Sequence, residues 1–366
     1  MPDKETHQQA LTKAIKWLHW AQDRDGSWKS QTYGGMKQGA AMTSLVLYSL
    51  SKLPEELRAQ SRGPIDRSFD FLGPGIEKMQ QVANTDGSLD NPVYATAMYL
   101  TAARNLGREL DKQAQNLLVD FLLRSQINKE RGFDRKDPNY GGWDILGPNV
   151  KPGKTAGPNI SITRFVLEAL KPFYAIGYDE KRAAEQALER PFLKRLANSK
   201  RNAGNWITKL FVESGTEGSK FSTQPKSALN KARSADDKPV PYGSATCDYL
   251  IGCNERYGSL GNFFLKGADW IKQHPNIEFV PGFEAMETKG SWEQGLYFYY
   301  CQSLATVLLI LKEQEWATER LGKLADSLCK RQQENGSFQN SVALMREDDP
   351  IIATCFAAIT LAAATQ

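Results

Sequence analysis

The stretch KAIKWLHWAQDRDGSW, residues 13–28, contains the pattern that decides the fold. Its first half places apolar residues three to four positions apart, as an amphipathic helix does, and Gln22 stands at the predicted end of that helix. Asp25 and Gly26 then mark a turn, because glycine readily adopts the positive φ that such turns need. The aromatic Trp28 follows directly. The stretch therefore predicts a surface helix that ends in a turn with an aromatic residue packed across it.

Comparable turns recur along the whole chain. They read DGSW at 25–28, DGSL at 86–89, GGW at 141–143, GNW at 204–206, GSW at 290–292 and NGSF at 335–338. Amphipathic segments precede most of these turns, at 5–22, 64–81, 109–126, 179–197, 261–274 and 314–333. Far more apolar segments alternate with them, at 38–52, 91–106, 159–174, 243–257, 295–312 and 349–364. Alternation over a long period is typical of repeat architectures.

The two kinds of segment predict two layers of helices. A helix that is apolar around its circumference must be buried on all sides, whereas an amphipathic helix can face water. We therefore expect an all-α fold in one domain, residues 1–366, built as an (α/α)6 toroid of six inner and six outer helices. A polar loop or lid insertion is expected at about 198–241, where the sequence is rich in Lys, Ser and Gly.

A recurring threonine aligns five of the six apolar segments. It stands in AMTSLVL, YATAMYL, SITRFVL, SATCDYL and IATCFAA, at Thr43, Thr96, Thr163, Thr246 and Thr354. The remaining segment, GLYFYYCQSLATVLLIL, is more aromatic and does not fit this frame. Two positions after the threonines stand Leu45, Met98, Phe165, Asp248 and Phe356. Asp248 is the one charged residue in this otherwise apolar column.

The turns, together with the residues before them, resemble the QW repeat of squalene cyclases and related terpene cyclases. The first copy has Lys13, Ala14, Trp17, Leu18, Gln22, Gly26 and Trp28 at the repeat's spacing, and the last copy has Lys323, Leu328, Gln332, Gly336 and Phe338. Partial copies are Phe121-Leu122 with Gln126, and Lys266-Gly267 with Trp270-Ile271, where Pro275 replaces the glutamine. The resemblance spans the chain and implies a toroid of the terpene-cyclase β-domain type, similar to the single-domain class II cyclases of bacteria.

That resemblance implies a class II cyclase, which protonates a linear isoprenoid or a prenylated aromatic acid and closes rings by a carbocation cascade without a metal or cofactor. Such an enzyme needs a carboxylic acid that an apolar pocket keeps protonated. The family's usual DxDD motif is missing, because the matching helix start reads Pro92-Val93-Tyr94-Ala95-Thr96. The acid must therefore lie elsewhere, if the protein has one.

Asp248 is our candidate for this general acid, with Tyr249 and Cys247 beside it as possible hydrogen-bonding partners of its carboxyl group. A buried aspartate that only stabilises the fold is about as well supported. Asp144, in GGWDILG, is the alternative acid, since a glycine-rich turn can also form a cavity wall. Three further acids directly precede inner helices and are interpreted as structural caps: Asp90, Asp348 and Asp349.

Aromatic side chains on or beside the inner helices could stabilise a carbocation without reacting with it. The candidates for the substrate cavity are Tyr94, Trp143, Phe165, Trp292, Tyr297, Tyr299 and Tyr300. We expect that only about half of them line a cavity, because aromatic residues also pack helical cores. Basic residues of the insertion could guide an acidic head group: Lys200, Arg201, Lys209, Lys220, Lys226, Lys231 and Arg233.

The composition limits the other functions. A formal net charge of +4 gives no general basic footprint, so no nucleic-acid partner is expected. Residues 1–9 are polar and five cysteines follow no disulfide or metal spacing, which favours a cytoplasmic protein. The predicted partner is a small-molecule isoprenoid, and peripheral membrane contact through an apolar entrance stays open.

Three other functions are also compatible with the sequence. The first is a non-catalytic toroid that binds isoprenoids or lipids, in which the missing DxDD reflects lost chemistry. The second is a prenyltransferase-like enzyme, which would need a zinc site, although His7, His19 and His274 all fall on outer segments. The third is a sugar-processing α/α barrel with two carboxylates across a cleft, and Asp144 with Asp248 would be that pair.

Overall fold

The computed structural model describes residues 4–82, 91–149, 152–153, 157–176, 189–211, 218–223, 228–257, 261–284, 286 and 291–366. Within these residues the chain forms 14 α-helices and no β-strand beyond isolated bridges. In chain order they are α1 (Lys4–Trp20), α2 (Ala40–Leu50), α3 (Glu55–Gln60), α4 (Arg62–Val82), α5 (Pro92–Asn105), α6 (Lys112–Ser125), α7 (Ile160–Ile176), α8 (Arg190–Thr208), α9 (Gly243–Tyr257), α10 (Asn262–Gln273), α11 (Trp292–Gly295), α12 (Tyr297–Ile310), α13 (Glu315–Cys329) and α14 (Pro350–Thr365).

Six of these helices form a closed inner ring. They are α2, α5, α7, α9, α12 and α14, and each packs against the next in chain order. The last helix, α14, packs back against α2 and closes the ring. Every residue of α2 is buried, as expected for a helix that is apolar around its circumference. The predicted all-α toroid is confirmed.

Amphipathic helices surround this ring. Helix α1 packs on α14, α4 on α2 and α5, α6 on α5, α8 on α7 and α9, α10 on α9, and α13 on α12 and α14. Helix α6 shows how such a helix is fixed: Asp111 caps its N-terminus by accepting the N–H groups of Gln113 and Ala114. Its apolar face, which includes Phe121 and Leu122, is buried against the ring.

The turn at 25–28 connects four elements by hydrogen bonds. The Gln22 side-chain amide donates to the carbonyl oxygens of Gly26, at 2.9 Å, and Pro64, at 3.0 Å. The backbone N–H of Trp28 donates to Thr43 Oγ1 at 2.9 Å. One turn therefore connects the end of α1, its own backbone, the start of α4 and the inner helix α2. The recurring threonine is the residue that bonds the turn to the inner helix.

Two other turns repeat this arrangement. Gln126 donates to the Gly141 carbonyl and the Trp143 N–H to Thr163, while Gln332 donates to the Gly336 carbonyl and the Phe338 N–H to Thr354. The glutamine, the glycine and the threonine thus act as one unit, which we call the glutamine–threonine turn. The turns predicted at 86–89 and at 290–292 include residues outside the described ranges.

The fourth helix pair departs from the prediction. The segment 204–206 lies inside α8, so the turn predicted there is wrong, and the outer helix ends at Thr208 rather than near 197. The N–H that Thr246 accepts belongs to Ser219, at 3.0 Å. Consequently the polar insertion begins after Thr208, and the boundary predicted at 198 was wrong. Residues 177–188, where the predicted outer helix began, lie outside the described ranges.

Gly141 allows the first stability test. Its φ is +108°, and a Cβ atom there would lie 2.2 Å from the carbonyl oxygen of Asn202 in α8. We expect Gly141→Ala to lower the free energy of unfolding by more than about 2 kcal/mol, measured by urea denaturation. Gly107→Ala is the matched control: φ is also positive, at +65°, but no atom of the described residues would lie within 4 Å of its Cβ, so about 1 kcal/mol is expected. Equal losses would contradict tight packing of the turn against α8.

Thr354 allows the second test, because its hydroxyl oxygen accepts a hydrogen bond from the buried Phe338 N–H at 2.9 Å. We expect Thr354→Val to cost about 1–3 kcal/mol, since an unpaired buried N–H group loses its hydration without compensation. Thr360→Val on the same helix is the control. That buried hydroxyl donates to the Phe356 carbonyl one turn earlier, so its removal leaves no N–H group without an acceptor. Thermal denaturation of both variants checks this, and a larger loss for Thr360→Val would contradict it.

Candidate functional site

A cavity of about 390 Å³ lies at the N-terminal ends of the inner helices. This volume is within the range of small-molecule sites. Loops that precede the inner helices form its rim and contribute Met36, Phe221, Lys231 and Met345. Met345 is exposed on the surface, so the cavity opens to solvent at this side.

The threonine frame determines which side chains face the cavity. Two positions before the threonines stand Ala41, Tyr94, Ser161 and Ile352, and all four line it. Two positions after the threonines, Leu45, Met98, Phe165 and Phe356 line it as well. Positions four residues apart lie on one helix face, so each inner helix presents the same two positions to the ring interior. The fourth helix differs, because Ser244 and Asp248 occupy these positions there and neither is part of the cavity wall.

The wall is mainly apolar. Its polar side chains are few, chiefly the hydroxyl groups of Tyr94, Ser161, Tyr242 and Tyr299 and the charged ends of Lys231 and Arg346. In the part of the wall that the structure describes, no aspartate or glutamate side chain is present. The cavity can thus exclude water from an apolar ligand while offering hydroxyl groups at one position of its wall.

Asp248 is fully buried directly behind this wall. Its Oδ1 atom accepts hydrogen bonds from Arg164 Nε, at 3.1 Å, and from Ser303 Oγ, at 3.0 Å. Its Oδ2 atom accepts one from the Tyr299 hydroxyl at 2.7 Å. Three donors from α7 and α12 therefore hold the carboxyl group of α9, and one of them, Tyr299, also faces the cavity.

The protonation of Asp248 reflects two opposing effects. Burial raises the pKa of Asp248, against the charge of Arg164 and the hydrogen bonds from Tyr299 and Ser303, which lower it. Arg164 is also buried, and its guanidinium carbon lies 3.5 Å from the ring centroid of Phe165. Burial thus favours the protonated form of Asp248, and the neighbouring Arg164 stabilises its carboxylate form.

A second ion pair, which is partly buried, lies next to the first. Lys52 Nζ is 2.5 Å from Glu168 Oε1, and the Tyr48 hydroxyl donates to Glu168 Oε2 at 2.9 Å. Burial opposes the ionisation of Glu168, but Lys52 and Arg164 lower its pKa overall. Two cations and two carboxylates consequently share the interior around Arg164, which keeps the buried charge balanced.

A series of hydroxyl groups connects Asp248 to the cavity. The Tyr94 hydroxyl donates to Ser161 Oγ at 2.8 Å, and Ser161 Oγ is hydrogen-bonded to the Tyr299 hydroxyl. Tyr299 in turn donates to Asp248. Three residues of the wall, from α5, α7 and α12, thus form one hydrogen-bonded series with the buried carboxyl group of α9.

Of the seven aromatic residues predicted for the cavity, Tyr94, Phe165 and Tyr299 line it. The other four do not. Trp143 donates its indole N–H to a carbonyl of α6, Tyr297 pairs with a serine of α13, and Tyr300 donates to the Asn276 carbonyl. Trp292 lies outside the wall, under the ammonium group of a lining lysine. Helix rotation explains the difference within α12, because Tyr297 and Tyr300 face the outer helices while Tyr299 faces inwards.

The residues predicted to support Asp248 also lie elsewhere. Cys247 is buried without touching the cavity, and the ring of Tyr249 packs against Phe211 on the outer side of α9. Asp144, the alternative acid, is buried beside Arg131, 3.7 Å away, and does not line the cavity. Of the acids interpreted as helix caps, Asp349 accepts the Ile351 N–H as predicted, whereas Asp90 lies outside the described ranges.

Several wall residues were not predicted from the sequence. Tyr242 comes from the residue before α9, Phe221 from the insertion, and Ser161 from the position two before a threonine. The sequence contained the signal for Ser161, because the frame's two inward positions are four residues apart. No comparable signal exists for Phe221, since an insertion loop has no periodicity that fixes its direction.

Glu347 is a further buried acid that the sequence did not single out. It accepts the N–H groups of Phe298, at 3.0 Å, and Tyr299, at 2.8 Å, at the start of α12. Burial raises the pKa of Glu347 to about 7, against these hydrogen bonds and one from Asn340. Glu347 therefore anchors the rim segment that carries Arg346 to the helix that carries Tyr299.

Among the described helices, none is both long enough and apolar enough to cross a membrane. In the same part of the chain, no group of three or more His, Cys, Asp or Glu side chains is arranged so that it could hold a metal ion.

No protein-family model and no curated protein sequence matches the chain. Among solved structures it is similar to the type II terpene cyclase MstE from Scytonema, in complex with its substrate geranylgeranyl dihydroxybenzoate, with a TM-score of 0.56 and 12% identity over 100% of this chain and 98% of that one. A protein from Actinoplanes gives a TM-score of 0.59 and 13% identity over 98% of this chain and 100% of that one. An alpha-1,6-mannanase from Salegentibacter gives a TM-score of 0.57 and 12% identity over 97% of this chain and 98% of that one. The chain thus has the helical toroid fold of the single-domain type II terpene cyclases, a fold that the mannanase shares.

Proposed function

We propose that this protein is a class II terpene cyclase, which protonates a linear isoprenoid or prenylated aromatic acid and forms rings by a carbocation cascade. One observation carries the proposal: an apolar cavity inside a toroid has a buried acid, Asp248, connected to its wall through Tyr299. A cascade needs both parts, because the proton must arrive in a space from which water is excluded.

The wall suits a carbocation. Phe356 and Phe165 line the cavity, and the edge-to-face arrangement of Phe356 with Tyr299, with ring centroids 5.3 Å apart, fixes one of these rings. Aromatic faces attract a cation by roughly 1–2 kcal/mol each when desolvated, and they do not react with it. Phe165 is the weaker of the two, because the Arg164 guanidinium already lies against its ring.

Asp248 is proposed as the proton source. Its burial favours the protonated form in the resting enzyme, and Arg164 stabilises the carboxylate that remains once the proton has left. An acid of this kind is active below its pKa and loses activity as the pH rises through that pKa. The proton added at the start is lost from the final cation, so the net reaction is an isomerisation.

Lys231 and Arg346 are proposed to bind an acidic head group at the rim. Lys231 lines the cavity and stacks over the Trp292 ring at 4.4 Å, and Arg346 is exposed at the opening. The substrate of the similar cyclase MstE is a geranylgeranyl dihydroxybenzoate, which has an apolar tail and an acidic aromatic head. A ligand of this class would place its tail among the apolar side chains and its head between these cations.

One observation favours a second candidate, the non-catalytic isoprenoid-binding toroid. Asp248 forms an ion pair with Arg164, and this pairing favours the carboxylate, which has no proton to give. Binding of an isoprenoid needs no proton and requires only the cavity. Glycoside hydrolysis is less well supported, because it needs two carboxyl groups across a cleft and the described wall has neither an aspartate nor a glutamate.

Product analysis distinguishes cyclase from binder. The protein would be incubated with geranylgeranyl dihydroxybenzoate, farnesylated hydroxybenzoates and squalene, and cyclic isomers of unchanged mass sought by chromatography and mass spectrometry. We expect cyclic products from the prenylated acids, and Asp248→Asn to lower kcat by about 100-fold or more. Asp144→Asn tests the alternative acid and should keep its turnover, since this equally buried carboxyl group is not part of the cavity wall.

Two results of these experiments would contradict the proposal. Unaltered turnover by Asp248→Asn would reject Asp248 as the proton source. Tight binding of the acids by the parent protein, seen by calorimetry with no cyclic product at any pH from 5 to 9, would favour the binder.

The head-group assignment has its own test. Lys231→Met keeps the length of the side chain but removes its charge, so we expect KM for a prenylated benzoate to rise about tenfold with little change in kcat. KM for the corresponding methyl ester, which lacks the charge, should stay within about twofold. Lys220→Met is the matched control, because this insertion lysine is not part of the cavity wall. An equal rise in KM for acid and ester would rule out charge recognition by Lys231.

A further inference from the structure

We propose that the proton leaves the protein from the Tyr94 hydroxyl, after passage from Asp248 through Tyr299 and Ser161, and that it is delivered to an epoxide oxygen of the substrate. The inference rests on the proposed cyclase function and specifies both the group that touches the substrate and the class of substrate.

The geometry of Asp248 determines where its proton lies. Oδ1 already accepts two hydrogen bonds, from Arg164 and Ser303, whereas Oδ2 accepts one, from Tyr299, among the residues that the structure describes. Protonation therefore occurs on Oδ2, 2.7 Å from the Tyr299 hydroxyl. Tyr299 becomes the first acceptor of that proton.

Each hydroxyl group in the series carries one hydrogen, so the series has a direction. When Asp248 is ionised, Tyr94 donates to Ser161, Ser161 to Tyr299 and Tyr299 to Asp248, and no hydrogen is left for the cavity. When Oδ2 is protonated, all three hydrogen bonds reverse. The hydrogen of Tyr94 is then free, and Tyr94 lines the cavity.

Packing holds the Tyr94 ring in the cavity wall, where its hydroxyl group can donate to a ligand. It packs edge-to-face against Phe165, with ring centroids 5.7 Å apart, and stands at one of the two inward positions of the threonine frame. Tyr299 is held equally firmly by Phe356, and Ser161 lies between the two phenols. The series is therefore pre-formed: the hydroxyl hydrogens rotate towards the cavity, and protons then pass along the hydrogen bonds without movement of the rings.

The nature of the last donor points to the acceptor. A phenol is a much weaker acid than a carboxyl group, and burial raises the pKa of Tyr94 further, against its hydrogen bond with Ser161. A weak donor matches an acceptor that forms hydrogen bonds before proton transfer, and an epoxide oxygen does so whereas an alkene carbon does not. Release of ring strain then drives the cleavage.

The step balances without another reactant. The Tyr94 hydroxyl proton passes to the epoxide oxygen while the C–O bond breaks, and the adjoining alkene attacks the carbon that becomes electron-deficient. Ser161, Tyr299 and Asp248 each pass one proton along the series, which leaves an Asp248 carboxylate paired with Arg164. The last cation loses a proton to water at the cavity opening, and Asp248, which is itself fully buried, is reprotonated from water through the same hydroxyl series. An epoxidation of the terminal double bond must precede this reaction.

The test compares two substrates that differ in one atom. They are a geranylgeranyl hydroxybenzoate with a terminal epoxide and the same compound with the terminal alkene. We expect the parent protein to convert the epoxide at least about 100-fold faster, as measured by kcat/KM. Tyr94→Phe should lower kcat for the epoxide about 100-fold and leave KM within about threefold.

The variants at Ser161 test the relay itself. Ser161→Ala interrupts the series and should lower kcat by about 100-fold, whereas Ser161→Thr keeps a hydroxyl group and should recover most of it. The parent's loss of activity with rising pH should vanish in Ser161→Ala, because Asp248 no longer supplies the proton. Tyr174→Phe is the matched control: this buried tyrosine of α7 also contacts a serine hydroxyl, at 3.4 Å from Ser199, but does not line the cavity.

The outcomes separate the inference from the proposed function. Equal conversion of alkene and epoxide would overturn the epoxide assignment and keep the cyclase. Full activity of Tyr94→Phe, with Asp248→Asn inactive, would overturn the relay alone. No conversion of either substrate by a parent protein that binds both would reject the cyclase, and the inference with it. Circular dichroism of each variant excludes misfolding as the cause of a loss.

Discussion

The toroid depends on the glutamine–threonine turn. In a ring of helix pairs, each pair must be fixed to the next, and the turn does so with a few buried hydrogen bonds: Gln22 joins α1 to α4, and Thr43 joins the turn to α2. The same turn at Gln332 joins the last pair to the first by donating to the Ala10 carbonyl. Because the ring is closed, an error in one turn would displace every inner helix from the common register.

That register determines what the cavity can contain. The threonines fix the height and rotation of the inner helices, so positions two before and two after them face the interior in every pair with this frame. Ser303 and Tyr299 are spaced in the same way on α12, which places Cys301 where the threonine would stand. Asp248 thus meets Ser303 at the same level of the ring, and Arg164 reaches it from α7. The buried ion pair is stable because both neighbouring helices supply donors.

Much of this could be predicted from the sequence, for physical reasons. Periodicity predicts helices and their burial, so the inner helices and the inward direction of Phe165 followed from it. Side-chain partners over long sequence distances did not follow: nothing local indicates that Asp248 meets Arg164 rather than Cys247. Trp206 shows a second limit. It stands two positions after a glycine, as the aromatic residues of the turns do. Trp206 nevertheless lies in a helix, where it packs against Gly142.

Tyr94 and Asp248 together explain how one fold can serve different chemistry. A toroid of this kind occurs in a terpene cyclase and in a mannanase, so the ring cannot by itself specify a reaction. The few inward positions can, because they alone meet a ligand. Here one inward position holds a hydroxyl group at the wall, and another holds an acid that Tyr299 separates from the cavity. In the reaction we propose, an acid that does not touch its substrate acts through the groups between them, so the hydroxyl groups of the wall would govern the chemistry as much as the carboxyl group behind them.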